Sequence, residues 1–340
     1  MKKSTLLIFL LPLALIALNP NPPPPPQVVQ AELDKAEHDF WKAMEMFNPW
    51  YAGPLLTPSA HVLDPGYLVI QPYIFVLDNY GKYNTRRHSQ DIPKLIQVNP
   101  LFLAQTGVVK GIDATLVIQG IYNTQNDVHS GGYLDTKFGF GFQIVKEQPY
   151  IPAVKVVFSE LFPTGKYRNL DPDKNGLDGV GGGAFVTNVS LNISKVFWWV
   201  IPSHPFNLRT SHVFSIPSKV HVKNFNSYGG GFGTNGKVRP GQQYTGDIGI
   251  EVSITQSWVF ATDISYFYFG KSKFKGTPGT TSSGAPATVG GSFGDQLSLA
   301  PAIEYNPSSK IGVLGGVWFS VYGRNTSNFI AGVVSYTQTF

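Results

Sequence analysis

The stretch Ala184-Phe-Val-Thr-Asn-Val-Ser-Leu-Asn-Ile-Ser-Lys-Val-Phe197 decides how this chain is read. Val189, Leu191 and Ile193 alternate with Asn188, Ser190, Asn192 and Ser194, the period of two that gives a strand one apolar and one polar face. Working outward, Ile248, Ile250, Val252 and Ile254 alternate with Asp247, Gly249, Glu251 and Ser253, and Leu297, Leu299 and Ile303 oppose Gln296, Ser298 and Glu304. From Gly66 onward the same period recurs between Gly, Asn, Asp, Ser and Pro clusters. Strands are expected to begin near residues 66, 94, 111, 133, 151, 183, 206, 244, 258, 293, 310 and 328.

A soluble sandwich with an apolar interior would alternate in the same way. Three further features favour a wall that faces lipid. Connections alternate between tight turns (146–149, 256–257, 306–309) and long ones (79–91, 160–182, 217–243, 271–292), the asymmetry between the two ends of an outer-membrane barrel. Aromatic residues collect at strand ends, with Trp198, Trp199, Trp258 and Tyr305 toward one interface and Tyr122, Tyr244, Tyr266 and Tyr268 toward the other. The final strand carries Ile330, Val334, Tyr336 and Phe340 on one face. Tyr336 and Phe340 resemble the signal read by the barrel-assembly machinery, although Gln338 departs from its usual apolar residue.

Composition agrees. Only 14% of the 340 residues are charged, while 14% are aromatic and Gly numbers 36; an average soluble domain has roughly 25% charged residues. The net charge of +5 comes with no Lys/Arg cluster dense enough for nucleic acid. Cysteine is absent, as suits passage through an oxidising compartment. Lys2 and Lys3 precede an apolar stretch from Leu6 to Leu18, the pattern of a secretory signal and too short for a spanning helix. Cleavage is expected after Val29-Gln30-Ala31, placing a signal peptide at 1–31. Leu33, Ala36, Phe40, Met44 and Phe47 then recur at helical spacing, so residues 32–64 are expected to form a short periplasmic helix and an extended segment. Residues 65–340 form the barrel. The helix can plug the lumen or lie in the periplasm. The fold class is all-β: a transmembrane antiparallel up-and-down barrel of about 12 strands.

From about Pro65 onward the chain resembles the outer-membrane barrels of the meta-pathway phenol-degradation family, described as transporters. The resemblance rests on the strand Ala153 to Phe162 running into Pro163-Thr164-Gly165, and on the Gly-rich strand entry at Gly179 to Gly183. Gly131 to Asp135 is similar to the family's Gly-x-Gly-Asp entry but is broken by Tyr133 and Leu134. The resemblance implies the barrel fold and a link to aromatic substrates.

Histidines at 38, 61, 88, 129, 204, 212 and 221 include no pair at metal-ligand spacing and no hydrolase arrangement, so no enzyme is expected. Asp171, Asp173 and Asn175 resemble the first half of a calcium loop, but Gly182 stands where the bidentate Glu belongs. An ordinary Asp/Asn/Gly loop is the plainer reading, and no cofactor is expected otherwise. Gly229 to Gly231 and Gly181 to Gly183 precede no helix and read as loop glycines.

If the apolar faces meet lipid, the opposite faces turn Lys137, Lys155, Arg209, Asp247, Glu251, Asp263 and Glu304 into the lumen, with Asp113 and Asp135 beside them. A Lys or Arg facing mid-bilayer would cost about 2 to 4 kcal/mol. The bases fall on the fourth, fifth and seventh barrel strands and the acids on the eighth to tenth. That order predicts two opposed walls of charge, either a field across a pore with modest cation preference or a paired seal. Lys155, Glu251 and Asp263 are expected near the middles of their strands. Loop cations (Lys82, Arg86, Arg87; Lys219, Lys223, Lys237, Arg239; Lys271, Lys273, Lys275) would face lipid and lipopolysaccharide phosphates. The leading function is passive uptake of small molecules, hydrophobic or aromatic. The alternative is a structural or surface-interaction protein with a plugged lumen.

Overall fold

The computed structural model describes residues 25–47, 50–201 and 204–340. The expected signal peptide falls largely outside the described residues. Helix α1 (Pro26–Phe47) begins six positions before the expected start at Glu32, and Pro26 at its first turn is tolerated because no intrahelical N–H is needed there. Its apolar stripe is buried at Ala36 and Phe40.

Sixteen strands follow: β1 (Leu68–Tyr83), β2 (Ser89–Val109), β3 (Ile112–Gln125), β4 (Val128–Tyr133), β5 (Thr136–Val145), β6 (Ala153–Phe162), β7 (Val186–Phe197), β8 (Phe206–Pro217), β9 (Val220–Lys223), β10 (Asn235–Arg239), β11 (Gln243–Ser253), β12 (Trp258–Phe269), β13 (Lys273–Thr277), β14 (Gly294–Ser308), β15 (Ile311–Arg324) and β16 (Ser327–Thr339). β4 and β5 both pair with β3, one above the other, and together make one interrupted strand. Counted so, the wall is a closed antiparallel barrel of 12 strands. β1 closes on β16 along its length, from Val69 opposite Thr339 to Lys82 opposite Ser327, with one register shift between Asn79 and Gly81. Leu68 and Phe340 seal the seam by exchanging backbone hydrogen bonds of 2.8 and 3.3 Å. Closure leaves no sheet edge unpaired in hydrocarbon, which is why strands can cross a membrane at all.

The wall is apolar outside. Ile74, Phe102, Ile118, Phe140, Phe158, Leu191, Phe214, Ile248, Ile264, Ile303, Val317 and Val334 are exposed large hydrophobics, one on each strand of the wall. So continuous a belt would be an aggregation hazard in water and is the expected surface in lipid. Trp258 and Tyr305 stack at 4.7 Å between ring centroids at the tight-turn end. Tyr122, Tyr266 and Tyr268 are exposed at the other.

Three connections differ from expectation. The loop expected over 79–91 is only residues 84–88, because β1 and β2 pair almost to its tip, Tyr83 opposite Ser89. A Gly/Asn/Lys-rich run looked like a loop but is a strand extension, with backbone pairing overriding the low strand propensity of its residues. The long connections after β8 and β12 are not irregular: β9, β10 and β13 form a separate three-stranded sheet in the order β13-β10-β9. Its apolar face, Val220, Val222 and Val238, packs with Ala184 and against Tyr167, Val186, Tyr228, Phe274 and Val289.

Candidate functional site in the barrel lumen

Period two turns one side chain in two inward, and the inward set is polar over much of the half nearest the tight turns. Residues 50–64, extended by Pro54 and Pro58, thread this half of the lumen rather than lying outside it. Inward groups of the wall hold the segment along its length. The Ala52 amide donates to Glu304 Oε2 at 2.9 Å. The Leu56 and Thr57 amides and the Thr57 hydroxyl donate to the Asp263 carboxylate at 3.1, 3.0 and 2.6 Å. The Ala60 amide donates to Ser194 Oγ at 3.0 Å. Gln143 accepts from the Val62 amide at 3.0 Å and donates to the Ala60 carbonyl at 2.8 Å. Tyr51 donates to the Pro205 carbonyl at 3.2 Å and accepts from Ser253 Oγ at 3.0 Å. A segment with unpaired backbone donors becomes tolerable inside a barrel only when the wall supplies acceptors in this way.

Glycines make the fit. A Cβ on Gly249 of β11 would stand 2.7 Å from Pro54 Cγ, and one on Gly312 of β15 would stand 2.7 Å from Ala52 Cβ. At Gly107 of β2 the carbonyl of Asp64 would lie 2.1 Å away. These positions lack side chains because the segment, by side chain at Gly249 and Gly312 and by backbone at Gly107, occupies the space.

The seven lumen residues expected from sequence all point inward, in different settings. Lys155 is buried and donates to Asp113 Oδ2 at 2.7 Å and to the His61 carbonyl at 3.3 Å. Arg209 and Glu251 meet diagonally across neighbouring strands, with Nε 2.6 Å from Oε2, and Asn207, directly opposite Glu251, donates to the same carboxylate at 2.9 Å. Glu304 and Asp263 serve the threaded segment as described. Asp247 is buried between Ser211 and Ser265 of the flanking strands. Lys137 alone is exposed to the lumen, and among the described residues it forms no salt bridge.

The expected opposed walls of charge do not form. Lys155 is matched by Asp113, which is further round on β3, and Arg209 by Glu251 next door. Sequence order along the barrel had suggested separation, but Asp113 neutralises Lys155 from two strands away and Glu251 neutralises Arg209 from the next strand, while Lys137 keeps no ion pair among the described residues. Nor do Lys155 and Glu251 lie mid-strand: each is the third residue from the tight-turn end of its strand. Removing one partner from a buried pair such as Arg209–Glu251 costs about 3 to 5 kcal/mol, since the other charge is left unsolvated.

Toward the opposite end the lumen changes character. Leu77 of β1, Phe267 and Phe269 of β12, Trp318 of β15 and Phe329 of β16 line a cavity of about 430 Å³, completed by Asn79, Lys82 and Gln296. Trp318 meets Phe329 edge-on at 4.8 Å and Phe75 at 6.3 Å. Its indole nitrogen donates to Ser298 Oγ at 3.0 Å, which fixes the ring. Below, Leu55 of the threaded segment joins Leu314, Ala331 and Val333 in one apolar cluster. A second cavity of about 370 Å³ separates the segment from β1, β2, β15 and β16, with Gln71, Tyr73, Gln105 and Thr337 among its walls. The sequence reading missed these inward aromatics because Phe267 and Phe269 alternate with the equally aromatic Tyr266 and Tyr268, so no polarity marks which face is which.

The loop between β6 and β7 dips into the mouth. Asp135 accepts from the Gly165 and Gly182 amides at 2.9 and 2.8 Å, and Asn123 donates to the Leu177 carbonyl at 2.8 Å. The stretch that resembles the first half of a calcium loop is held by its own hydrogen bonds. The Asp171 side chain accepts from the Asp173 amide at 3.1 Å and caps a short 3-10 turn over Pro172–Lys174, with Asn175 left-handed at φ 51°. Asp178 is taken by Lys166. Among the described residues no three His, Cys, Asp or Glu side chains gather as metal ligands would. Tyr336 and Phe340 lie on the outward face of the closing strand, both exposed.

No protein-family model matches the sequence, and no curated protein sequence matches it. Solved structures do. The COG4313 outer membrane channel from Pseudomonas putida F1 superposes with a TM-score of 0.63 at 10% identity, over 85% of this chain and 100% of that one. The β domain of the Bordetella autotransporter BrkA gives 0.44 at 10% identity over 82% of this chain and 100% of its own. A deletion mutant of the TodX monoaromatic hydrocarbon channel gives 0.38 at 12% identity over 85% and 95%. The first of these likenesses is one of fold.

Proposed function

We infer that this closed β-barrel sits in the bacterial outer membrane. We propose that it is a passive channel for small hydrophobic or aromatic molecules, held closed by residues 50–64. The observation that carries this reading is the outer cavity, where five large apolar side chains turn away from lipid and into the lumen. Exposing Trp and Phe to a water-filled space forgoes their burial, and an aromatic guest restores it. A cavity of roughly 150 Å³ already holds benzene, so the space here accommodates substituted rings. The resemblance of the Ala153 to Gly165 stretch to the meta-pathway phenol-degradation family adds to the same reading.

In this scheme Lys155, Arg209, Asp247, Glu251, Asp263 and Glu304 form the constriction, with Lys155, Asp263 and Glu304 holding the segment directly, while Lys137 lines the wider space above. Tyr336 and Phe340 present the signal to the assembly machinery. The alternative, a surface protein with a permanently plugged lumen, draws support from the same hydrogen bonds to residues 50–64.

Uptake separates the two. Vesicles containing the purified barrel should equilibrate labelled phenol or toluene faster than empty vesicles. Trp318→Ala combined with Phe267→Ala should weaken retention of the aromatic probe about tenfold, each ring contributing about 0.5 to 1.5 kcal/mol beyond area. Vesicles no leakier than empty ones would discard the channel and leave the plugged surface protein.

A further inference from the structure

The three-stranded sheet beyond the barrel mouth has two unlike faces. One is the apolar face packed on Ala184 and Val186 at the rim. The other is basic. In the register, Lys237 stands between Lys275 and His221, Arg239 stands opposite Lys273, and Lys223 lies at the end of β9 beside Asn235. All six basic side chains are exposed, whereas Val220, Val222 and Val238 between them are buried. Like charges facing each other across a ladder destabilise it. Nothing in these loops offsets the repulsion, since residues 218–242 and 270–293 contain no Asp or Glu at all. Among the described residues none of the five Lys and Arg side chains enters a salt bridge.

We propose that this face binds the phosphate groups of lipopolysaccharide in the outer leaflet. Facing side chains on adjacent strands are about 5 Å apart at Cβ, close enough for two cations to share one phosphate through charge-assisted hydrogen bonds. The orientation selects the partner. Because the apolar face is turned to the barrel rim, the cations look away from the lumen and cannot line a path for an anionic permeant. They sit beyond the long-loop end of the wall, the side that carries the phosphate-bearing leaflet. The binding needs only the barrel's place in the outer membrane and holds whether or not the lumen conducts.

The test uses the full-length folded protein in detergent, titrated with lipopolysaccharide, with the same material stripped of phosphate, and with inorganic phosphate as competitor. Wild type should bind intact lipopolysaccharide at least about tenfold more tightly than a K237Q/R239Q/K273Q/K275Q variant, and the preference should shrink as salt rises. Stripped lipopolysaccharide should bind wild type as weakly as the variant binds intact material. Unboiled gel mobility confirms that the variant is folded, and the milder pair K237Q/K275Q should fall between. Equal binding by wild type and a folded variant overturns the proposal. So does equal binding of stripped material, or displacement by inorganic phosphate at equal concentration, which would make this a site for the free ion.

Discussion

Glu147 belongs to a tight turn and to no strand, yet distant parts of the chain meet on its carboxylate. His61 Nε2 lies 2.9 Å from Oε2, while Lys195 Nζ and the Val196 amide donate to Oε1 at 2.9 and 2.7 Å. Lys195 also donates to the Gln148 carbonyl at 2.9 Å and lies 5.6 Å from the Phe40 ring of α1. Burial works to raise the Glu147 carboxyl, but the hydrogen bonds from His61, Val196 and Lys195 outweigh it and hold the group below its ordinary 4.5. A depressed folded value means the contribution is complete above pH 4.5 and is lost as pH falls through the lower, folded value. With a Cys placed at Ala60 as reporter, labelling by a pyridyl disulfide, which stays reactive toward thiols in acid, should stay slow down to that range and accelerate beneath it. Glu147→Gln should raise labelling at neutral pH, by about 2 kcal/mol of lost docking, and flatten the acid step. An unchanged profile would remove Glu147 from the latch. None of this was legible in the sequence. Alternation told which way Lys155, Glu251 and Asp263 point, because direction is a local property of a strand, but partners such as His61 and Glu147 are set by closure of the whole barrel.

At the scale of elements, strand positions were legible because lipid imposes period two without relief, as in β7 and β11. The helix stripe of α1 was readable for the same reason at its own period. Residues 50–64 were not: prolines identify an extended segment but not its destination, and only the glycines at 107, 249 and 312 record its path. The three-stranded sheet was hidden too, since β9, β10 and β13 are short and lie among glycine-rich stretches. If the segment must move for transport, tethering it should stop transport. The Ala60 amide and Ser194 Oγ are 3.0 Å apart, and the native chain has no cysteine to interfere. Ala60→Cys with Ser194→Cys should therefore lose vesicle uptake when oxidised and regain it with reductant. Uptake at the wild-type rate in the oxidised form would mean that permeants pass beside a fixed segment, through the inner cavity against β1 and β2.

The whole molecule is a ring of hydrogen-bonded strands, and rings resist detergent in a way that open sheets do not. Without boiling the protein should run faster on a denaturing gel than after it, and should fractionate with the outer membrane; equal mobility would contradict a closed wall. The seam adds a constraint in time. Val69 takes Thr339 as its neighbour, so the strand that leaves the ribosome early must wait for the one that leaves near the end. Until β16 arrives, every intermediate is a curved sheet with two raw edges, open to any other strand it meets, and losing β16 yields no smaller barrel. Export and insertion must therefore keep β1 unpaired, or paired with something that β16 can later displace.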